Sequence, residues 1–335
     1  MPTKVRVAVI GAGFIAHYHV KGLLEQENVE ITAICDTAIE KAQEFAKIYN
    51  IKQVYEKHSD LIRENACDAV ILCLPNALHV PIASDFVRAG KDVFIEKPLG
   101  INTEEGEQLK ETMMENNRLV MIGHMWRFDE QTRFVRAAIA AGEIGEVLKT
   151  KGCGIHVDWG PQGWFTQKKL AGGGALADMG VHAIDTVRFL LGDPQPVSVY
   201  GVLKTCFGKY DVDDMGMLMI SWENGTVSLI ESGWWHPHAD GPEASTQLIG
   251  TKGYARLYPT SVETPLEGLA GREVKRLSPK DEHCDQPMYS RQMAHFVACI
   301  RERKTPNPGI EEGLVVQRIV DTAYRSAESG EVVYL

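Results

Sequence analysis

The chain has 335 residues, 44% hydrophobic and 24% charged, a length and balance that suit two globular domains and exclude disorder, collagen and coiled coil. Its 35 Lys and Arg against 45 Asp and Glu leave a formal net charge of −10, which argues against nucleic acid and anionic membrane surfaces as partners. The seven cysteines never form a CxxC pair, and no apolar run is long enough for a leader or a membrane span, so the expectation is a cytoplasmic protein with reduced thiols.

Val5 to Ile10 is apolar and β-branched almost throughout, the pattern of a strand buried on both faces. The turn Gly11-Ala12-Gly13 follows, then helical spacing from Ile15 to Leu24 and a strand from Glu30 to Cys35. Helices are predicted over Ile39 to Tyr49, Ser59 to Glu64, His79 to Ala89 and Thr103 to Asn116. They alternate with strands at Val54-Tyr55, Asp68 to Leu74, Asp92 to Ile95 and Leu119 to Ile122. Such alternation specifies a Rossmann-type, doubly wound parallel sheet over residues 1–123.

Beyond Gly123 the rhythm changes. After a helix from Glu130 to Ala141 come period-two segments: Val147 to His156, Pro196 to Lys204, Met215 to Trp222, Thr226 to Gly233, Thr246 to Gly250 and Gly253 to Leu257. These predict an α+β domain over 124–335 with an open, mostly antiparallel sheet and helices on one face. The helices are Ala175 to Leu191, closed by Gly192, and two late ones, Tyr289 to Arg301 and Ile310 to Ser329. Met217, Met219 and Trp222 are assigned to the uncovered face, an apolar patch that a second subunit would cover in a homodimer or homotetramer.

Gly11-x-Gly13-x-x-Ala16 lies between a strand and a helix, where glycines permit a tight turn and close approach of a pyrophosphate to a helix N-terminus. Asp36, twenty positions after Ala16, ends the second strand, where a carboxylate can bind both adenosine ribose hydroxyls. It would repel a 2′-phosphate, and Thr37-Ala38 supplies no arginine to hold one, so NAD is favoured over NADP.

Lys97 follows a strand at the carboxyl edge of the sheet, where its ammonium can stabilise a developing alkoxide. Asp178 and His182 are four apart on a predicted helix and share a face, with Asp185 close to His182. A histidine beside a carboxylate can take a proton from an alcohol near neutral pH. No metal site is expected: Asp178, His182 and His156 have no cysteine partner, and hydride chemistry on NAD needs no metal.

These motifs, with Glu96-Lys97-Pro98, the run Gly172 to Asp185, Pro75-Asn76-x-x-His79, Gly90-Lys91-Asp92-Val93 and Trp126-Arg127-Phe128, occur in an order that resembles the glucose-fructose oxidoreductase / inositol dehydrogenase / rhizopine catabolism (Gfo/Idh/MocA) family over essentially the whole chain. The resemblance implies catalytic roles for Lys97, which positions the substrate hydroxyl, for His182 as acid/base, and for Asp178 in support. It implies cofactor contacts from Gly11, Gly13, Phe14, Ile15, Asp36, Leu74, Pro75, Asn76, His79, Glu96, Lys97, Trp126 and Arg127. Substrate contacts are expected from Lys97, His156, Trp164, Asp178 and His182. Aromatic stretches at His156-Val157-Asp158-Trp159, Gly163-Trp164-Phe165 and Trp234-Trp235-His236-Pro237-His238 suit the faces and edges of sugar rings, although tryptophans in a sheet also serve as core. Phe165 stands where some relatives carry arginine.

The function expected is NAD-dependent oxidation of a secondary alcohol on a sugar, polyol or cyclitol derivative, the first domain holding NAD and Lys97, the second supplying Asp178 and His182. The alternatives are a glycoside hydrolase or lyase that retains NAD and oxidises its sugar transiently, and a non-catalytic NAD-binding sensor.

Overall fold

The computed structural model describes residues 4–237, 243–266, 271–278 and 284–335. Its first stretch contains β1 (Val5–Ile10), α1 (Phe14–Leu24), β2 (Val29–Cys35), α2 (Ile39–Tyr49), β3 (Gln53–Tyr55), α3 (His58–Arg63), β4 (Ala69–Leu72), α4 (His79–Arg88), β5 (Asp92–Ile95), α5 (Thr103–Glu115) and β6 (Val120–Ile122). The strands form one parallel sheet in the order β3-β2-β1-β4-β5-β6, which reverses direction between β1 and β4. β4 and β5 are buried at every position, as their unbroken apolar runs require of strands covered on both faces. The reversal opens a crevice at the carboxyl ends of β1 and β4.

The chain continues with α6 (Glu130–Ala140), β7 (Val147–Val157), α7 (Lys168–Ala171), a π-helical turn (Leu176–Gly180), α8 (Val181–Leu191), β8 (Pro196–Lys204), β9 (Met215–Trp222), β10 (Val227–His236), β11 (Ala244–Gly250), β12 (Tyr254–Leu257), β13 (Ser261–Pro265) and β14 (Arg272–Arg276). It ends with α9 (Gln286–Glu302), α10 (Ile310–Ser329) and β15 (Val333–Tyr334). Among the described residues the second sheet has nine strands in the order β14-β13-β12-β11-β7-β10-β9-β8-β15, antiparallel except for the pair β7 and β10. Sequence periodicity did not reveal β13 to β15. β14 is exposed at every position and β15 has two residues, so neither carries an alternating burial signal.

The chain divides into two compact units, Met1–Met125 with Asp285–Leu314, and Trp126–Cys284 with Val315–Leu335. The sequence boundary of 1–123 and 124–335 therefore misplaces Asp285–Leu314. The reason is side-chain packing: α9 lies along α1, with Tyr289 4.8 Å from Tyr18 ring to ring, and Phe296 5.7 Å from Phe94 of β5. In the second unit, α8 and the Val315 to Ala323 part of α10 cover one face of the sheet, packing on Val199, Leu218, Ile220 and Ile230.

The other face of that sheet carries Met217, Met219, Leu229 and Tyr200, 53%, 43%, 49% and 37% exposed. Tyr200, Met219 and Leu229 form a row across three paired strands. Trp222 does not join them. It is 2% exposed and lies with Leu218 and Ile220, because even positions of β9 face the helices and odd positions face outward.

Candidate active site

In the first unit, Gly11 has φ +96° and a Cβ there would stand 2.1 Å from the Cys73 carbonyl oxygen, so the turn closes only around glycine. Over Gly13 there is open space: a Cβ would meet nothing within 4 Å. No side chain caps the start of α1, so the N–H groups of its first turn, at Phe14 and Ile15, stay available at the positive end of the helix dipole. Phe14 itself is 78% exposed. The Asp36 carboxylate folds back over this turn, accepting hydrogen bonds from Ala12 N at 2.8 Å and Ala38 N at 2.9 Å. An open cradle of uncapped amides beside a half-buried carboxylate fits a dinucleotide's pyrophosphate and ribose.

Leu74, Pro75 and Asn76 leave β4 at the same edge of the sheet, and Glu96 and Lys97 leave β5 beside them. Glu96 is buried, with Oε1 2.5 Å from His19 Nε2 of α1 and Oε2 accepting from Lys97 N at 3.1 Å. Burial works to raise its pKa, but the bond and charge of His19 outweigh it and hold the carboxyl below its ordinary value. Lys97 is half-buried. His79 is fully buried, its ring nitrogens 2.8 Å from the Pro98 carbonyl and 2.9 Å from the Leu74 carbonyl.

In the second unit, the predicted helix from Ala175 to Leu191 is two pieces: Asp178 lies on the π-turn and His182 is the second residue of α8. The i, i+4 spacing therefore spans a widened turn, a feature common at functional sites. The turn packs closely on β7, where a Cβ at Gly154 would stand 2.4 Å from the Met179 carbonyl oxygen. Asp178 Oδ2 accepts from Trp234 Nε1 at 3.0 Å and lies 3.6 Å from His156 Nε2. The other His156 nitrogen is 3.6 Å from Glu243 Oε2, and the ring lies tilted against Trp159 with centroids 3.6 Å apart, the Trp159 Nε1 donating to Glu243 at 2.5 Å.

His182 is 4% exposed and stacks on Trp126, centroids 4.9 Å apart. Arg127 Nε and Nη2 hold Asp185 at 2.7 to 3.0 Å, and Nη2 also holds Asp193 at 2.8 Å. Asp185 thus takes part in a buried ion cluster with Arg127 and Asp193.

Trp164 is half-buried and stacks on Phe165 at 3.8 Å, which in turn packs against the cluster of Ala175, Val212 and Trp234. Beside them a groove of about 530 Å³ is lined by Gln162, Thr166, Phe207, Tyr210 and Trp235. Trp235 has φ +63°, a strained conformation for so large a residue, kept by a bond from its N–H to the Trp159 carbonyl at 2.8 Å. His238 lies outside the described residues.

Two residues absent from the sequence reading complete this region. Glu243 backs His156 from the edge of β11. Asp213 is 6% exposed and accepts backbone N–H groups from the start of the segment that carries Asp178 and His182: Gly174 and Leu176 on its carboxylate, both at 2.9 Å, and Ala175 on its carbonyl at 2.8 Å. A long-range cap of this kind leaves no local motif.

A family description reading "Oxidoreductase family, NAD-binding Rossmann fold" matches residues 5–124, and a "GFO/IDH/MocA C-terminal domain" matches residues 132–256. The chain belongs to the Gfo/Idh/MocA oxidoreductase family. As in other members of that family, the first unit is an NAD-binding Rossmann domain. Similar proteins include D-glucoside 3-dehydrogenase of Escherichia coli (strain K12), 28% identical with 99% of this chain and 98% of that one covered. The scyllo-inositol 2-dehydrogenase (NAD(+)) of Bacillus subtilis (strain 168) is 28% identical, with 91% and 89% covered. The crystal structure of GenD2 from gentamicin A biosynthesis, in complex with NAD, superposes with a TM-score of 0.87 at 25% identity, covering 100% of this chain and 97% of that one. Among the described residues of this Gfo/Idh/MocA protein, no helix is long and apolar enough to cross a membrane.

Proposed function

We propose that this oxidoreductase transfers a hydride between a secondary alcohol of a sugar, polyol or cyclitol derivative and NAD, with His182 as acid/base. The observation that carries the reading is the half-buried Asp178, fixed by Trp234 and facing His156, on the turn that leads directly into His182. Bound NAD supplies hydride acceptance and return. The chain's own residues handle the proton. Lys97 hydrogen-bonds the substrate hydroxyl and stabilises negative charge on its oxygen as the C–H bond breaks. The hydroxyl proton passes to a ring nitrogen of His182, held in orientation by the face of Trp126. The Asp178 carboxylate favours the imidazolium so formed, and Asp178 and His156 hydrogen-bond neighbouring hydroxyls. Trp164 and the groove lined by Phe207, Tyr210 and Trp235 supply the walls, aromatic faces matching the C–H faces of a sugar ring.

The Asp36 carboxylate beside the glycine turn, with no arginine following it, supports NAD over NADP. The apolar outer face of the second sheet supports a homodimer or homotetramer, and the seven free cysteines support a cytoplasmic, reducing compartment. NADH absorbance followed over a panel of sugars, cyclitols and glycosides tests the reading. Net NADH formation that is lost in His182→Ala with NAD binding retained is the expected result. Cleavage of a glycoside without net NADH would replace the dehydrogenase by the NAD-retaining hydrolase.

A further inference from the structure

The sheet of the first unit brings β4 and β5 side by side, and the last ladder bond between them runs from Glu96 N to the Leu72 carbonyl at 3.0 Å. Beyond it both chains turn away as loops, and one carries Lys97. Two buried histidines hold that loop on either side of the lysine. On its N-terminal side Glu96 is gripped by His19 and in turn accepts the Lys97 N–H. On its C-terminal side the Pro98 carbonyl receives His79 Nδ1 at 2.8 Å, while His79 Nε2 faces the Leu74 carbonyl on the loop after β4 at 2.9 Å. Glu96 is 6% exposed and Pro98 is buried, and Lys97 between them is half-buried. His79 is 0% exposed, with both ring nitrogens directed at main-chain carbonyls, an arrangement suited to fixing backbone and not to touching a ligand.

We infer that His79 is a positioning residue for Lys97: its Nδ1 bond to Pro98 continues the cross-link between the β4 and β5 loops past the end of the ladder and sets where the ammonium stands. This rests on the role given to Lys97 above. It also departs from a direct cofactor contact by His79. The physical argument is one of tolerance, since a reacting group displaced by about 1 Å loses on the order of 100-fold in rate while a peripheral contact does not.

Two substitutions separate the two ring nitrogens. Asparagine places an amide near Nδ1 and keeps a donor for Pro98. Glutamine instead places its amide at the Nε2 position, opposite the Leu74 carbonyl, and leaves the Pro98 carbonyl without its donor. At saturating NAD and sugar, His79→Gln is expected to lower kcat by about 10- to 100-fold and His79→Asn by less than about 5-fold, with NAD affinity within about twofold of the parent in both. In a Lys97→Ala background, His79→Gln is expected to add no further loss. Losses that multiply in the double variant overturn the inference, as does a fall in NAD affinity that accounts for the rate, or a glutamine variant as active as the asparagine one. If His79→Gln does not fold, His79→Asn and its double variant carry the same test: near-parental kcat with unchanged NAD affinity supports the inference, and a loss additive with Lys97→Ala overturns it. A Lys97→Ala protein that oxidises sugars at the parental rate refutes the proposed function instead.

Discussion

Asp213 gives a prediction whose size follows from counting donors. Its Oδ1 accepts from Gly174 N at 2.9 Å and from the Tyr324 hydroxyl at 2.5 Å, and its Oδ2 accepts from Leu176 N at 2.9 Å. Gly174 N also reaches the Tyr324 oxygen at 3.2 Å, so it keeps a partner if the carboxylate is removed. Asp213→Ala therefore orphans two buried donors, the Leu176 N–H and the Tyr324 O–H, at about 1–3 kcal/mol each, or about 2–6 kcal/mol together. Asp213→Asn leaves one donor facing the new amide NH₂, about 1–3 kcal/mol, and removes a charge that burial disfavours. Burial is also why the Asp213 pKa is raised despite its three donors. A raised folded-state pKa means that, between the ordinary value of about 3.9 and the raised one, the native protein binds protons more readily than the unfolded chain. The Asp213 contribution to stability thus grows as pH falls through that window, and Asp213→Asn lacks this gain. Urea unfolding of both variants, followed through the tryptophans of the second unit, checks the ranking of parent above Asn above Ala. Equal midpoints for Ala and Asn, or an Ala variant within about 0.5 kcal/mol of the parent, would refute the capping argument.

Gly11→Ala forces a Cβ to within 2.1 Å of the Cys73 carbonyl and a side chain onto φ +96°, so the thermal stabilisation that NAD confers on the parent is expected to vanish in the variant. Glu96 has the opposite sign to Asp213: its pKa is held below the ordinary carboxyl value of about 4.3, so its stabilisation is present above that pH and is lost as pH falls through the folded value. Glu96→Gln should be less stable than the parent at neutral pH and show a shallower decline in urea midpoint below about pH 4.3. Met217→Glu places a charge on an exposed apolar face and is expected to reduce the light-scattering mass of an oligomeric parent to that of a monomer; a parent already monomeric at micromolar concentration defeats the oligomer proposal.

The parts of the molecule that were legible in advance are those encoded over a few residues. Val5 to Ile10 and Ala69 to Leu72 announce doubly covered strands through unbroken apolar runs, and the spacing of Gly11, Gly13 and Asp36 marks the dinucleotide turn because all three serve one local loop. What stayed hidden depends on partners far along the chain. Asp185 sits at helical spacing from His182, and nothing in that spacing shows that its carboxylate also pairs with Arg127, 58 positions away, where a buried guanidinium costs several kcal/mol unless paired. The π-turn under Asp178 packs against β7 where Gly154 leaves room for the Met179 carbonyl, and it is invisible to a 3.6-residue count. The segment carrying Asp178 and His182 starts on amides satisfied by Asp213, 37 positions beyond Leu176. Sequence spacing thus marks candidate groups, while the backbone that carries them is held by buried polar residues such as Asp213, whose own neighbourhood contains no motif, which is why substitution at Asp213 tests the arrangement of that segment.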